Sequence, residues 1–247
     1  MVEAGSPDGT KKTKILIAIP TLGSINFRFV HSLAEFMVDC TRMESEGYEF
    51  LMMMLPKMLV AQAREEAAKQ CIALKCDYLF MVDDDMVLPR FLMKRLLDAK
   101  KDIVSVMSWE RLGDHHPNLY NLLAFDKDEK GGVVYGSWKW RNITTEELDE
   151  WRKQKKDIVS IDVTGFGCVL IKTEALKKIK EPWFMSQFQC GEDFFFCFKA
   201  KDAGLGVHAI IDEGMSLGHI GEPIVITEFL HRYNMHIKKE QEAACPK

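Results

Sequence analysis

The first half of the chain alternates short apolar runs with stretches whose apolar residues recur every three or four positions. Ile15–Ile19 is an apolar run of β type that ends at Pro20. Ile25, Phe29, Leu33, Phe36 and Cys40 then fall on one face of a helix. A second run, Tyr48–Leu55, follows Gly47 and closes at Pro56, after which Leu59, Ala63, Ala67, Cys71 and Leu74 align on another helix. Tyr78–Val82 predicts a third strand. Pro89 suits the first turn of a helix carrying Leu92, Leu96 and Ala99, and Ile103–Met107 predicts a fourth strand. Such alternation builds a parallel sheet with helices on both faces.

Beyond Trp109 the pattern loosens. Arg111–Asn121 reads as polar and turn-like, and Val133–Tyr135 as a short apolar stretch. Thr144 with Glu147 fits a capping box opening a charged helix to about Lys156. Ile158–Val163, Cys168–Ile171 and Val207–Ile211 predict strands, Thr173–Ile179 and Asp193–Ala203 helices, and Thr227–Lys239 a terminal helix. One continuous α/β domain over residues 14–240 is expected, between a flexible tail at 1–13 and a short one at 241–247.

Composition narrows the function. The 247 residues hold 33 Lys+Arg against 37 Asp+Glu, a formal charge of −4, with 47% hydrophobic residues. That balance offers no basic face for nucleic acid. No apolar run reaches the roughly 18 residues of a membrane span, and the polar N-terminus lacks the apolar core of a secretory signal. The seven cysteines, an odd number with no CxxC pair, predict buried thiols in a reducing compartment, so a cytoplasmic location is expected. The 14 Met, including Met52, Met53 and Met54, read as adaptable core packing.

The chemistry concentrates where the third strand stops. Asp83, Asp84 and Asp85 directly follow Val82, at the carboxyl end of a strand, where open α/β sheets bind ligands. Like charges about 4 Å apart repel by about 4 kcal/mol at an effective dielectric of about 20. Three adjacent carboxylates therefore call for a cation or a proton, and a divalent ion shared with substrate phosphates supplies one. Two enzyme classes use such a feature. One holds a metal that bridges a nucleoside diphosphate. The other, the haloacid dehalogenase-like phosphatases, attacks phosphorus with the first Asp of DxDx(T/V), which Asp83–Val87 matches.

Ala63-Arg64-Glu65, Cys76-Asp77-Tyr78, Leu79–Val82 and Asp83–Asp85, together with Ile15–Thr21, resemble the nucleotide-sugar half of the GT-A glycosyltransferases, especially the family 2 type. Thr164-Gly165-Phe166-Gly167-Cys168 resembles that family's glycine-bearing turn, Gly191-Glu192-Asp193 its Glu-Asp helix start, and His219 its metal-site histidine. The resemblance implies a Rossmann-like, open, twisted, mainly parallel sheet flanked by helices, with a variable acceptor-side region. Residues 14–110 would form the nucleotide-sugar-binding half and 111–240 the acceptor-binding half.

It further implies a metal-dependent, hexosyltransferase-type enzyme that moves a sugar from a UDP- or GDP-sugar to a hydroxyl on a glycan, lipid or small molecule, with inversion. Pro20, Thr21, Arg64, Asp83 and Asp84 would contact the nucleotide, and Asp85, Asp83 and His219 would hold Mn²⁺ or Mg²⁺. Asp193 would be the general base, with Glu192 its alternate. The rival readings are a phosphatase with Asp83 as nucleophile and a catalytically inactive GT-A binding module. His115 and His116 are expected to face solvent and His208 to be structural. Trp109, Trp138, Trp140 and Trp151 serve either as core or as sugar-stacking faces. Three departures from the family pattern stand out. Met54, Leu55 and Pro56 replace its acidic residue, Leu22 follows Thr21 where an aromatic is common, and Glu65 replaces the usual Asn.

Overall fold

Alternate residues of the first strand face opposite ways, and both faces are apolar: Ile15, Ile17 and Ile19 on one, Leu16 and Ala18 on the other, all buried. Only a central strand in a covered sheet accommodates that pattern. A computed structural model of the chain describes residues 11–111, 116–126, 129, 134, 137–186, 190–221 and 225–226. Its elements run β1 (Thr13–Thr21), α1 (Phe27–Met43), β2 (Tyr48–Pro56), α2 (Val60–Ala73), β3 (Tyr78–Val82), β4 (Met86–Val87), α3 (Leu92–Asp98) and β5 (Ile103–Val106). They continue with β6 (Leu119–Ala124), β7 (Lys139–Asn142), α4 (Thr145–Lys153), β8 (Ile158–Ile161), β9 (Val163–Thr164), β10 (Cys168–Lys172), α5 (Thr173–Lys178), α6 (Glu192–Asp202), β11 (Val207–Ile210), β12 (Gly218–Ile220) and β13 (Val225–Ile226).

The main sheet has seven strands in the order β2-β1-β3-β10-β5-β11-β8. β1 pairs in parallel with β2 and β3, and β5 with β11, whereas β10 runs antiparallel to both β3 and β5, and β8 antiparallel to β11. Ile15, Ile17, Ile19, Phe80 and Val82 pack with Phe29 and Phe36 of α1 and Leu92 and Leu96 of α3. Leu16, Ala18, Leu79 and Met81 pack with Ala63, Ala67 and Cys71 of α2, Leu176 of α5 and Phe196 of α6. Two small sheets, β13-β12-β4 and β7-β6-β9, lie beside the main one.

Several local expectations are corrected. β1 runs through Pro20 to Thr21, because beyond Ala18 it pairs with β2 alone. β2 is the edge strand, so Met52 and Met54 are exposed rather than packed in the core. Pro89 lies outside α3. The helix starts only at Leu92, after Phe91 adopts a left-handed φ of 60°, and the buried Asp39 of α1 accepts from Arg90 Nη2 (2.7 Å), Arg90 Nε (2.8 Å) and Phe91 N (3.0 Å). The Arg90 bonds hold the Asp39 carboxyl down at about 2 and fix the chain just after the Asp triplet. The segment expected to be turn-like contains the start of β6, and Ile158–Val163 divides into β8 and β9. The Thr144–Glu147 capping box is present. Thr227–Lys239, His115, Val133 and Tyr135 lie outside the described residues.

Among the described residues no helix is long and apolar enough to cross a membrane. Six cysteines there are free and buried, as their apolar settings predict.

Candidate active site

The topology gathers the singled-out residues at one end of the main sheet. β3 delivers Asp83–Asp85. Antiparallel β10 starts beside that end, with Cys168 opposite Val82, so the preceding glycine turn touches the triplet through Asp83 N donating to Gly167 O (3.1 Å). The turn is tightest at Gly165, where a Cβ would lie 1.9 Å from Asn118 Nδ2, while one on Gly167 would displace the Met86 methyl, 2.3 Å away. β12 pairs with β4, placing His219 opposite Met86, while Ile220 N donates to Asp85 O (2.7 Å). Backbone pairing thus carries His219 to Asp85.

Arg64 is the hub of one side. Its side chain is 3% exposed, and Nη2 donates to Asp83 Oδ1 (2.8 Å), Asp83 Oδ2 (2.9 Å) and Phe166 O (3.3 Å). Nη1 pairs with Glu192 Oε1, and the guanidinium lies 5.6 Å from the Phe166 ring centroid. Burial alone would lower its pKa, but Asp83, Glu192 and Asp193 outweigh that and keep Arg64 cationic. Both Asp83 oxygens face this arginine, which leaves a phosphatase nucleophile at Asp83 disfavoured.

Asp193 sits in the first turn of α6, with Oδ1 accepting from Phe194 N (2.8 Å). Burial, and then the neighbouring Glu192 charge, push its carboxyl up to about 6 against the pull of Arg64. Gly191 makes room for it, since a Cβ there would come within 2.6 Å of Asp193 Oδ1. Beside Asp193, Phe194 packs against Tyr120 and Trp140, each at a centroid distance of 4.8 Å. Trp109 and Trp138 are buried core, whereas Trp140 and Trp151 are partly exposed. Tyr120 OH donates to Glu110 Oε1 (2.7 Å), which also accepts from Asn142 Nδ2 (2.9 Å).

The other side is the pair Asp85 and His219. His219 Nδ1 lies 2.8 Å from Trp109 O and Nε2 3.2 Å from Asp85 Oδ2. A carbonyl oxygen only accepts, so Nδ1 carries the proton. Nε2 and the carboxylate then meet as two acceptors unless a cation or a second imidazole proton joins them. Burial pulls the imidazole pKa down, but the Asp85 hydrogen bond and the Trp109 carbonyl raise it overall. Burial likewise pushes Asp85 up, and His219 and Arg111 more than reverse it.

A carboxylate beside an imidazole whose far nitrogen is fixed by a backbone carbonyl fits a divalent cation. Among the described residues no group of three or more His, Cys, Asp or Glu side chains is arranged to hold a metal. The protein offers two donors, and a hard cation completes such a shell with phosphate oxygens and water. Of the three residues expected on a metal, Asp83 is turned to Arg64.

Pro20, Thr21, Leu22, Met58, Leu59, Val60 and the three aspartates line a cleft of about 360 Å³. A larger groove of about 610 Å³, which shares Met58, Leu59 and Val60 with it, runs along α2 to Phe184, Met185 and Ser186. Glu65, in place of the family's Asn, shapes that groove by accepting from Trp183 N (2.9 Å) and Phe184 N (3.0 Å). His208 lies in β11 with Nδ1 buried and without a hydrogen-bond partner among the described residues. Sequence reading missed Arg111, 3.0 Å from Asp85 Oδ2, and the Glu110–Tyr120–Asn142 cluster. No spacing signal links them, because their partners lie 10 to 32 residues away in the chain.

No protein-family model matches the chain, and no curated protein matches it in sequence. Among solved structures it is similar to A197 from STIV, with a TM-score of 0.54 and 20% identity over 87% of this chain and 90% of that one. It is also similar to GalNAc-T7 crystallised with UDP, GalNAc and Mn²⁺, with a TM-score of 0.50 and 14% identity over 84% of this chain and 43% of that one. The chain therefore spans less than half the length of GalNAc-T7. At these identities the likeness shows the fold, which is the GT-A type anticipated from the sequence.

Proposed function

We propose that the chain is a metal-dependent glycosyltransferase of the family 2 GT-A type, transferring a hexose from a nucleoside diphosphate to an acceptor hydroxyl with inversion. The observation that carries the reading is the convergence, at one sheet end, of the Asp85–His219 pair with the Arg64-braced acids Asp83 and Glu192 and the adjoining Asp193. GalNAc-T7, of the same fold, was crystallised with UDP and Mn²⁺, which supports a nucleotide donor and a divalent metal.

In this reading residues 14–110 bind the donor and 111–240 the acceptor. The 360 Å³ cleft at Pro20, Thr21 and the aspartates receives the nucleotide, with Asp83, held by Arg64, on the donor's ribose side. Asp85 and His219 hold the metal, which when bound neutralises charge on the departing diphosphate. Asp193 accepts the proton of the acceptor hydroxyl as its oxygen bonds to the anomeric carbon and the carbon–diphosphate bond breaks. A carboxyl held near 6 by burial suits a general base working near neutral pH. Glu192 is tied to Arg64 and is therefore the weaker choice. Phe194 and Trp140 give the acceptor an aromatic wall.

The test is nucleoside diphosphate release from a panel of UDP- and GDP-sugars with Mn²⁺, Mg²⁺ or EDTA. Release from at least one donor, dependent on metal and on Asp85, is expected. Metal-independent turnover would remove the role given to Asp85 and His219, and hydrolysis of simple phosphomonoesters would favour Asp83 as a nucleophile.

A further inference from the structure

Asp85 Oδ2 has two partners at once: the Arg111 guanidinium at 3.0 Å and His219 Nε2 at 3.2 Å. They reach it from opposite settings. The His219 side chain is 13% exposed and tied to the Trp109 carbonyl, while Arg111 is 48% exposed and arrives from the rim of the cleft. The backbone that carries Arg111 is anchored, since the preceding Glu110 is held by Tyr120 and Asn142 and its N–H donates to His116 O (2.9 Å). The guanidinium itself makes its ion pair with Asp85. The Asp85 oxygen that faces His219 is thus also paired with a cation from the protein's own chain.

Partly exposed pairs of this kind are worth only about 0–1 kcal/mol, so the contact exchanges readily. A divalent ion on the same carboxylate would face a guanidinium about 4 Å away, and two unit charges at that distance already repel by about 4 kcal/mol at an effective dielectric of about 20. The two cations therefore compete for Asp85. Once displaced, the planar, permanently charged guanidinium is suited to a diphosphate, whose oxygens it can grip in pairs.

We propose that Arg111 is the resident counter-ion of Asp85 and that a divalent cation replaces it there, releasing the guanidinium to the donor's diphosphate. Metal and nucleotide then bind as a coupled pair, each raising the affinity of the other by the same factor. Metal alone must dislodge Arg111 without giving it a new partner, whereas metal with a diphosphate supplies one. The inference deepens the functional reading above and rests on its assignment of Asp85 to the metal.

The experiment measures free Mn²⁺ by electron paramagnetic resonance while it is titrated into wild type and Arg111→Gln, alone and with saturating UDP or GDP. Wild type is expected to bind Mn²⁺ at least tenfold more tightly with one of the nucleotides. Arg111→Gln is expected to bind Mn²⁺ alone about threefold more tightly than wild type, the loss of a weak ion pair, and to show a smaller nucleotide-induced gain. Equal or weaker binding of Mn²⁺ alone by the variant would overturn the exchange while leaving the metal site standing. Absence of Mn²⁺ binding by wild type, with either nucleotide, would overturn both. Because Arg111 lies at the rim, the thermal unfolding midpoint of the variant should match wild type, which separates lost coupling from lost fold.

Discussion

Asp193→Asn is expected to reduce sugar transfer by about 10²–10⁴-fold, the usual contribution of a positioned general base, and yet to make the protein more stable at pH 7. The two effects have one cause. The Asp193 carboxyl is raised by burial from 3.8 to about 6 in the folded protein. Below pH about 4 it is protonated whether the chain is folded or not, and its contribution to stability is fully present. As the pH rises through 6, the unfolded chain is already ionised and the folded one must ionise in a buried setting, so that contribution is lost. At pH 7 the penalty is about 3 kcal/mol, and Asn removes it.

Unfolding of wild type and Asp193→Asn should therefore coincide near pH 4 and separate by pH 7, with the variant the more stable. Wild-type transfer should rise with pH through about 6 as the base loses its proton. A variant that stays active, or one less stable at pH 7, would remove Asp193 from the role of base.

Arg64→Met should have the largest effect on the fold. The side chain is 3% exposed and joins Asp83 to Glu192, and removing one partner of a buried ion pair typically costs about 3–5 kcal/mol because the other charge is left uncompensated. Here two carboxylates lose their cation. Glu192→Gln placed on top of Arg64→Met should recover part of the loss, since one orphaned charge disappears. Arg64→Lys should remain well below wild type, because an ammonium cannot reproduce the forked contacts to Asp83 and Glu192. Urea denaturation of the four proteins reads these differences, and a loss under about 1 kcal/mol for Arg64→Met would show that the site is wet in solution.

The same residues show what a sequence makes legible. Tyr78–Val82 was readable to the residue, because an unbroken apolar run meeting three aspartates can only be a buried strand reaching a polar end. The Thr144 cap was readable because its partner lies three positions away. Strand direction was not. The apolar run of β10 would suit a parallel strand equally well, and its antiparallel insertion between β3 and β5 depends on pairings far apart in the chain. β7 was hidden in polar sequence, and β6, although largely apolar, starts inside the otherwise polar stretch that reads as turn-like.

Arg64 reads locally as a helix arginine beside two glutamates. Its buried role emerges only from partners 19 and 128 residues away. Arg111 carried no signal at all, since its function is proposed from a contact with Asp85, 26 residues earlier. Phe91 misled the placement of Pro89, because the left-handed turn that delays α3 is held by Asp39 from another helix.

The central claim is that the cleft beside the Asp triplet takes a nucleoside diphosphate together with a divalent cation. Calorimetric titration of UDP and of GDP into the protein, with Mn²⁺ and then with EDTA, tests it most directly. The account predicts that one nucleotide binds with Mn²⁺, that EDTA abolishes the binding, and that Asp85→Ala abolishes it in the presence of metal. Binding of equal strength in EDTA, or unchanged in Asp85→Ala, would contradict it.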